Sequence, residues 1–579
     1  MKVLLSGNEA ISRGAYEANV SVATAYPGTP STEILETIRQ YPEIKAQWAP
    51  NEKVALEVAI GASLGGARSL VAMKHVGLNV AADPFLTLSY TGVGGGLVLV
   101  SADDPGMHSS QNEQDNRHYA RLAKVPLLEP ANSQEAKDFV GIALQISEQF
   151  DTPVMLRTTT RISHSKSLVE LGERRWSAQV PFEKDPAKWV MVPAHAKFRH
   201  LFVEARLEDL AEWIWRSGLN TYEFNDRSIG IITSGVAYQY VKEALPEASI
   251  LKLGIAYPLC PKQIRIFANE VEKLYVVEEL DPFLEEQIRM LGIEVIGKEI
   301  IPKTGELSTE IVRKAFYPED YELFTDRPKP LPKRPPVLCA GCPHRASIYG
   351  LKRLGIRVTG DIGCYTLGAL PPLSGIDSCV CMGASIGMAE GLTLADPKYA
   401  GNTVAVIGDS TFLHTGIQGL LDAVYNKARI TVVILDNRTT AMTGHQDHPG
   451  TGVTLSGERT KAVNLSKLVE ALGVEFVAVV DPLNQEKFKA TVEEALAFDG
   501  PAVVISRHPC ILKVRKKQDP YYIDPAQCTG CHACIQIGCP AISVAGCHNA
   551  INQASCIGCG LCVQICPEGA IKKVGEASA

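Results

Sequence analysis

Short, wholly apolar runs recur along the chain, and the stretches between them carry apolar residues at helical spacing. Before residue 326 such runs occupy 97–100, 153–156, 229–232 and 275–277; after residue 336 they occupy 404–407, 431–435 and 502–506. Runs this short, without polar alternation, predict strands buried on both faces, and intervening helices predict parallel sheets covered on each side. Three such α/β units are expected, over residues 1–195, 200–320 and 337–515, with no internal repeat strong enough to quote. The Pro-rich, basic stretch 326–336 can continue neither a helix nor a central strand and predicts an interdomain linker. Beyond residue 519 the apolar pattern stops and a cysteine-dense segment, 519–579, begins.

At 579 residues the chain exceeds the size of about 300 residues at which single cores stop growing, so several domains are required. With 46% hydrophobic and 21% charged residues it has an ordinary globular composition, and a net charge of −7 offers no footprint for nucleic acid. No run approaches the ~20 apolar residues of a membrane span. The start reaches polar Ser6 and Asn8 too soon for a signal peptide. A cytoplasmic protein, without membrane or nucleic-acid partners, is expected.

Nine of the sixteen cysteines fall between Cys528 and Cys566. Eight of them form the runs Cys528-x2-Cys531-x2-Cys534-x4-Cys539-Pro540 and Cys556-x2-Cys559-x2-Cys562-x3-Cys566-Pro567. This is the ligand pattern of a two-cluster ferredoxin, in which the last cysteine of each run serves the other cluster. One 4Fe-4S cluster is therefore assigned to Cys528, Cys531, Cys534 and Cys566, the other to Cys556, Cys559, Cys562 and Cys539. The first run has one extra residue before its last cysteine, in a loop that is cheap to lengthen. Zinc would need only two Cys-x2-Cys pairs per ion and has no use for the Cys-Pro endings. Disulfides are disfavoured in a chain that nothing marks as secreted. Cys547 is left over and is expected to be a plain buried thiol.

The run 404–407 leads into Gly408-Asp409-Ser410, and the run 431–435 ends in Asp436-Asn437. In a parallel sheet both emerge at the carboxyl edge, where open α/β sheets bind ligands. A carboxylate beside an amide oxygen can hold Mg2+ together with phosphate oxygens and water. Gly408 would let the backbone approach a phosphate, and the helix starting near Phe412 offers free N–H groups. Two ordinary polar strand ends are the alternative.

Gly408-Asp409-Ser410, followed after 26 residues by Asn437, resembles the thiamine diphosphate motif, with Ser410 in place of its usual last glycine. The resemblance implies metal binding by Asp409, Asn437 and the backbone carbonyl of Thr439, and diphosphate contacts from Gly383 in the helix start Met382-Gly383-Ala384-Ser385. Thiamine diphosphate also needs a glutamate against its aminopyrimidine, on a separate domain, to run the proton relay. Asn51-Glu52-Lys53, ahead of an Ala- and Gly-rich helix, has that form. Glu52 is assigned the role, with Glu57 as runner-up and a solvated first-turn glutamate as the alternative for either. The segment Tyr26-Pro27-Gly28-Thr29-Pro30-Ser31 is similar to one in 2-oxoacid:ferredoxin oxidoreductases whose threonine contacts the substrate carboxylate, which implies Thr29. A structural turn, with Ser31 or Thr32 as N-cap, is the other reading.

These segments, together with Asp436-Asn-Arg-Thr-Thr-Ala-Met-Thr-Gly-His445 and the lengthened cluster spacing, resemble the alpha subunits of the indolepyruvate:ferredoxin oxidoreductases over nearly the whole chain. The resemblance implies an α/β multidomain fold: a pyrimidine domain, a transketolase-C-terminal-like middle domain, a diphosphate domain and a two-cluster ferredoxin-like domain. It implies oxidative decarboxylation of indole-3-pyruvate and other aryl 2-oxoacids with CoA, reducing ferredoxin, and a beta subunit in an assembly of two alpha and two beta chains. Related pyruvate and 2-oxoglutarate enzymes hold a cluster near the thiamine with a Cys-x2-Cys pair, a cysteine after a glycine and one past the last strand. That implies a third cluster on Cys339, Cys342, Cys364 and Cys510; small buried thiols, as expected for Cys260, Cys379 and Cys381, are the alternative. His75, His414 and His445 could assist the substrate, although a lone histidine is more often structural. A pyruvate or branched-chain specificity, a non-oxidative decarboxylase and a non-catalytic electron-transfer scaffold remain open readings.

Overall fold

The computed structural model describes residues 1–176, 181–319, 335–514 and 518–575. The chain folds into two compact units, Met1–Pro330 and Leu331–Ala579. Most of the expected linker, 326–334, lies outside the described residues.

The first unit is built on a seven-stranded sheet. Its order is Ile255–Tyr257, Leu127–Leu128, Val154–Thr159, Leu97–Asp103, Ser69–Lys74, Val22–Ala25 and Lys45–Trp48. The central strands are buried along their whole length, polar Ser101, Asp103 and Arg157 included, and two of these strands overlap the expected runs 97–100 and 153–156. They run parallel, and the edge strand Ile255–Tyr257 is antiparallel to Leu127–Leu128. That edge strand comes from the segment expected to form a separate middle unit. The rest of that segment makes a four-stranded sheet, in the order Lys273–Val277, Asp226–Ser234, Ala248–Leu253 and Thr221–Glu223. One core joins Leu99, Leu127 and Met155 of the first sheet to Ile232 and Leu251 of the second and to Phe283 of the helix Phe283–Met290.

Charge is buried in this junction too. The Arg117 guanidinium, 1% exposed, lies 2.6 Å from both Asp115 Oδ2 and Glu278 Oε2. Arg157 donates to Asp103 Oδ2 at 2.7 Å and also pairs with Glu129. Asp103, Asp115 and Arg157 belong to the first sheet and its loops, Glu278 to the second, so the network crosses the expected boundary near residue 200.

The second unit holds a five-stranded, all-parallel sheet in the order Arg357–Thr359, Thr403–Gly408, Thr431–Asp436, Ala502–Arg507 and Phe476–Val480. The cysteine-dense segment adds two small antiparallel pairs, Tyr521–Ile523 with Ile571–Lys573 and Ile542–Ala545 with His548–Ile551. Its apolar residues Ile523, Ile537, Leu561 and Ile571 share a core with Val404, Val433 and Ile348, so it is built into the unit rather than tethered to it. Among the described residues no helix is long and apolar enough to cross a membrane.

Arg117→Ala strands two buried carboxylates and is expected to cost ~3–5 kcal/mol of stability. Arg216→Ala, in an exposed pair with Glu212, is expected to cost less than ~1 kcal/mol. Chemical denaturation followed by circular dichroism compares the two; equal midpoints would mean that the buried network carries no load.

Candidate functional site

Register decides what meets at the edge of the second sheet. Gly408 pairs with Leu435 and Asp436 with Arg507 across adjacent parallel strands, so Asp409, Asn437 and the segment leading to Cys510 leave side by side. Asp409 is buried. Its Oδ1 accepts the Ser410 N–H at 2.8 Å, and its Oδ2 accepts the Arg438 N–H at 2.8 Å with His448 Nε2 3.3 Å away. The Gly450 N–H donates to His448 Nδ1, which leaves Nε2 to carry the proton toward Asp409. Burial alone would raise the Asp409 pKa, but the hydrogen bonds from His448, Ser410 and Arg438 bring it below the usual carboxylate value.

Asn437 is buried beside it. Its Nδ2 lies 3.0 Å from His344 Nε2, its Oδ1 accepts the Thr439 N–H at 3.2 Å, and its carbonyl oxygen accepts the Cys510 N–H at 2.9 Å. Burial pushes His344 down to about 4, so this ring is a neutral acceptor. An ionised carboxylate and an amide oxygen on neighbouring strand ends form the hard-oxygen donor set that suits Mg2+. Ser410 is in use: its hydroxyl oxygen accepts from Thr440 at 2.9 Å, tying the two strand-end loops together.

The two glycines differ from expectation. The space a Gly408 Cβ would need is taken by Tyr365, at 2.9 Å, and the Gly408 N–H donates to the Tyr365 hydroxyl at 3.0 Å, so this glycine serves packing. The N–H groups of Gly383 and Ser385 donate to the Asp361 carboxylate, at 2.8 and 3.1 Å, so these amides are engaged rather than free for diphosphate. Gly383 has φ +87°, and a Cβ there would meet Thr415 Oγ1 at 2.3 Å. His414 lies in the π-helical turn Phe412–Gly416 with Nδ1 3.1 Å from Thr415 Oγ1. His445 is half-buried, and burial and Lys513 lower its pKa.

The cysteines gather in three groups. Cys539, Cys556, Cys559 and Cys562 line one cavity, walled by Ile537, Ile557 and Leu561. Burial first, then the neighbouring Cys559, Cys539 and Cys556, pushes Cys562 up to about 12. Cys534 is raised by burial and by Cys566 and Cys528. Both groups thus bring the last cysteine of one run beside the other run. Cys364 is raised to about 11 by burial and then by Cys510 and Cys339, while Cys342, three residues from Cys339, is raised to about 12 by burial. Among the described residues, only Asp115, His118 and Asp281 bring three metal-ligating atoms within 4.8 Å of one another. All sixteen cysteines are free. Cys260 is buried as expected, but Cys381 and Cys547 are exposed and Cys379 is half-buried. Cys547 sits at the tip of the hairpin between Ile542–Ala545 and His548–Ile551, and Cys379 and Cys381 lie in the loop before the helix Ala384–Ala395, where little can cover them.

In the first unit, Glu52 opens the helix Glu52–Leu64, capped by Asn51, whose Oδ1 accepts the Val54 N–H at 2.9 Å. Its side chain is buried against Gly77, where a Cβ would come within 2.6 Å of the carboxylate. Glu57 is exposed and paired with Lys53, which removes the runner-up. Thr29 is half-buried in the loop after Val22–Ala25, and the Cβ position of neighbouring Gly28 is 3.0 Å from Lys74 Cβ. Ser31 occupies the N-cap position of Thr32–Ile38, yet its hydroxyl donates to the Gly28 carbonyl at 2.8 Å, so it closes the Thr29 loop instead of capping. Burial pushes the Lys74 ammonium down to about 8, and Nζ donates to the Ser109 carbonyl at 2.7 Å. His75 is buried, with Nε2 3.2 Å from Asn112 Oδ1. Sequence reasoning missed His344, Asp361, Tyr365 and His448; only His344, two residues after Cys342, carried a local hint.

The chain matches three described families: the thiamine-diphosphate-binding segment of pyruvate flavodoxin/ferredoxin oxidoreductases over residues 13–208, the C-terminal TPP-binding domain of thiamine pyrophosphate enzymes over 361–506, and the 4Fe-4S binding domain over 550–572. Indolepyruvate oxidoreductase subunit IorA of Archaeoglobus fulgidus is 44% identical over 99% of this chain and 97% of its own length. The subunits of the same name from Methanothermobacter marburgensis and Pyrococcus horikoshii are 44% and 42% identical, each over 99% of this chain, and 98% and 97% of their own lengths. A solved 2-oxoglutarate:ferredoxin oxidoreductase from Magnetococcus marinus is more distant, with TM-score 0.47 and 16% identity over 54% of this chain and 64% of that one. With such identity sustained along nearly its full length, the chain belongs to the family of the indolepyruvate oxidoreductase IorA subunits, thiamine diphosphate-dependent 2-oxoacid:ferredoxin oxidoreductases with a 4Fe-4S domain.

Proposed function

We propose that this chain carries out the oxidative decarboxylation of aryl 2-oxoacids, passing the acyl group to CoA and the electrons through its own clusters to ferredoxin. The observation that carries the reading is the pair of bonds on Asn437. Its carbonyl accepts from Cys510, and its side chain meets His344, two residues from Cys342. A residue suited to the thiamine metal is thus one bond away from a cysteine suited to a cluster, which is what a reaction delivering electrons one at a time requires. The aryl preference rests on the name of the relatives, indolepyruvate oxidoreductase, and their designation as subunits supports a beta partner.

In this proposal Asp409, Asn437 and the Thr439 carbonyl hold Mg2+. The bound thiamine diphosphate supplies the nucleophilic carbon that releases CO2 from a 2-oxoacid. Glu52, buried against Gly77, holds and returns a proton at the aminopyrimidine nitrogen. Thr29 orients the substrate carboxylate. The clusters fall on Cys528, Cys531, Cys534 and Cys566; on Cys539, Cys556, Cys559 and Cys562; and on Cys339, Cys342, Cys364 and Cys510. Cysteines that must stay reduced to hold clusters favour a cytoplasmic location. Ferredoxin reduction across a panel of 2-oxoacids, measured anaerobically with the beta subunit present, tests the whole reading. CO2 release without ferredoxin reduction would overturn it.

Glu52→Gln keeps size but cannot cycle the proton, and is expected to lower turnover by roughly 10² to 10⁴ while thiamine diphosphate still binds. Turnover at the wild-type rate would remove Glu52 from the mechanism.

Asp409→Ala is expected to abolish thiamine diphosphate binding at low Mg2+ in titration calorimetry, and Asn437→Ala to weaken it, since a charged oxygen ligand is worth more to Mg2+ than a neutral one. Unchanged isotherms for both would separate this sheet edge from the cofactor.

Three cubanes require about twelve irons per chain, and two require about eight. Anaerobic iron analysis is expected to give the higher figure and to lose part of it in Cys339→Ser; about eight irons, unchanged by the substitution, would delete the third cluster.

A further inference from the structure

Arg345 is buried, 2% exposed, and makes an unusual set of contacts. Its Nη1 donates to the carbonyls of Ile537, at 2.8 Å, and Gly538, immediately before Cys539. Its Nη2 donates to the carbonyls of Leu338 and Cys339. Its Nε is buried without a hydrogen-bond partner. Among the described residues no carboxylate neutralises it. The cysteines closest in these contacts are Cys339, whose own carbonyl it binds, and Cys539, which follows Gly538. Arg345 also lines the cavity that Cys539, Cys556, Cys559 and Cys562 surround, as does Gly341. At Gly341, between Cys339 and Cys342, a Cβ would lie 2.0 Å from Ile557 Cδ1 and 3.6 Å from Cys559 Cβ, so the loop carrying the first cysteine pair packs against the second group in the cavity that Arg345 lines.

A buried cation without a carboxylate is costly unless anions face it. Protonated thiols do not meet that need; cysteines bound as thiolates do. We propose that Arg345 is the electrostatic bridge between the cluster on Cys339, Cys342, Cys364 and Cys510 and the cluster on Cys539, Cys556, Cys559 and Cys562, raising the reduction potential of both. This rests on the third cluster of the proposed function. One electron leaves the first site, which is oxidised, and reduces the second. The added negative charge lies beside the same guanidinium before and after the step, so its Coulomb stabilisation is kept. No proton moves, because an arginine holds its proton throughout. Arg345 is a positioning residue: it acts on the potentials, not on substrate.

The test is EPR-monitored redox titration of the anaerobically purified full-length chain, with iron counted in each sample. Arg345→Gln keeps donors for the carbonyls and removes the charge; Arg345→Lys keeps the charge and loses the fork. The expected result is retained iron in both and, in Arg345→Gln, a fall of roughly tenfold in the reduction constant of the two flanking clusters, ~59 mV for one electron. Arg345→Lys is expected to recover most of it. The cluster on Cys528, Cys531, Cys534 and Cys566, none of which lines the cavity that Arg345 lines, serves as internal reference. Unchanged potentials at full iron, or iron lost from both variants alike, would overturn the proposal and leave Arg345 a scaffold. A wild-type chain with about eight irons would instead refute the third cluster, and a shift confined to the Cys539-containing cluster would then show that Arg345 tunes one cluster and bridges none.

Discussion

A parallel sheet delivers all its strand ends to one edge, and the second unit depends on that constraint. The order Arg357–Thr359, Thr403–Gly408, Thr431–Asp436, Ala502–Arg507 sets four exits in a row. From them come Asp361 and Cys364, then Asp409, then Asn437, then Cys510. These residues span almost 150 positions, and only in-register parallel pairing brings them together. An antiparallel neighbour would send every second exit to the opposite edge. The buried, β-branched runs that fix the strands, Val404 to Ile407 and Thr431 to Leu435, therefore place the chemistry as surely as the ligands themselves do.

The second constraint is electrostatic. Burial raises the thiols of Cys342, Cys364 and Cys562 far above their ordinary pKa, so without metal they stay protonated. A thiolate at such a site has to be stabilised by the iron it binds, which couples cluster assembly to proton release and to the folding of this core. The first unit solves the same difficulty differently. Arg117 and Arg157 meet Asp115, Glu278, Asp103 and Glu129 in direct pairs, and no cofactor is needed to complete them.

What the sequence made legible was local. Continuous apolar runs marked seven of the strands, since burial on both faces leaves that trace, but not the equally buried Ser69–Lys74 and Ala248–Leu253. Cysteine spacing implied that the last cysteine of each run crosses to the other run, and Cys539 lines one cavity with Cys556, Cys559 and Cys562. Long-range partners left no such mark. Ile255–Tyr257 reads as part of the middle segment but pairs with Leu127–Leu128, and nothing local tells a strand which sheet it will join. Asp361 and His448 look like ordinary loop polar residues until the fold sets them against the Gly383 amide and Asp409. Gly408 and Gly383 were recognisable as necessary glycines, but the reasons lie in Tyr365 and Thr415, residues 43 and 32 positions away in sequence. Glu52 stands at the helix entry and Glu57 a turn later, an order the sequence already ranked, and the burial of Glu52 against the exposure of Glu57 agrees with it.

The lengthened spacing before Cys539 shows how a small irregularity can hold a reason. As a loop insertion it costs little, and the sequence alone assigns it no task. In the fold, the short 3-10 helix Ala533–Ile537 ends at Gly538 in the left-handed region, φ +64°. That turn aims the carbonyls of Ile537 and Gly538 at Arg345, and a Cβ at Gly538 would press within 3.1 Å of the guanidinium and 3.0 Å of Pro372. A run with the shorter spacing would have one fewer carbonyl to offer before Cys539. The carbonyls of Ile537 and Gly538 thus hold a buried cation beside Cys539, and glycine is the residue that lets the chain turn there.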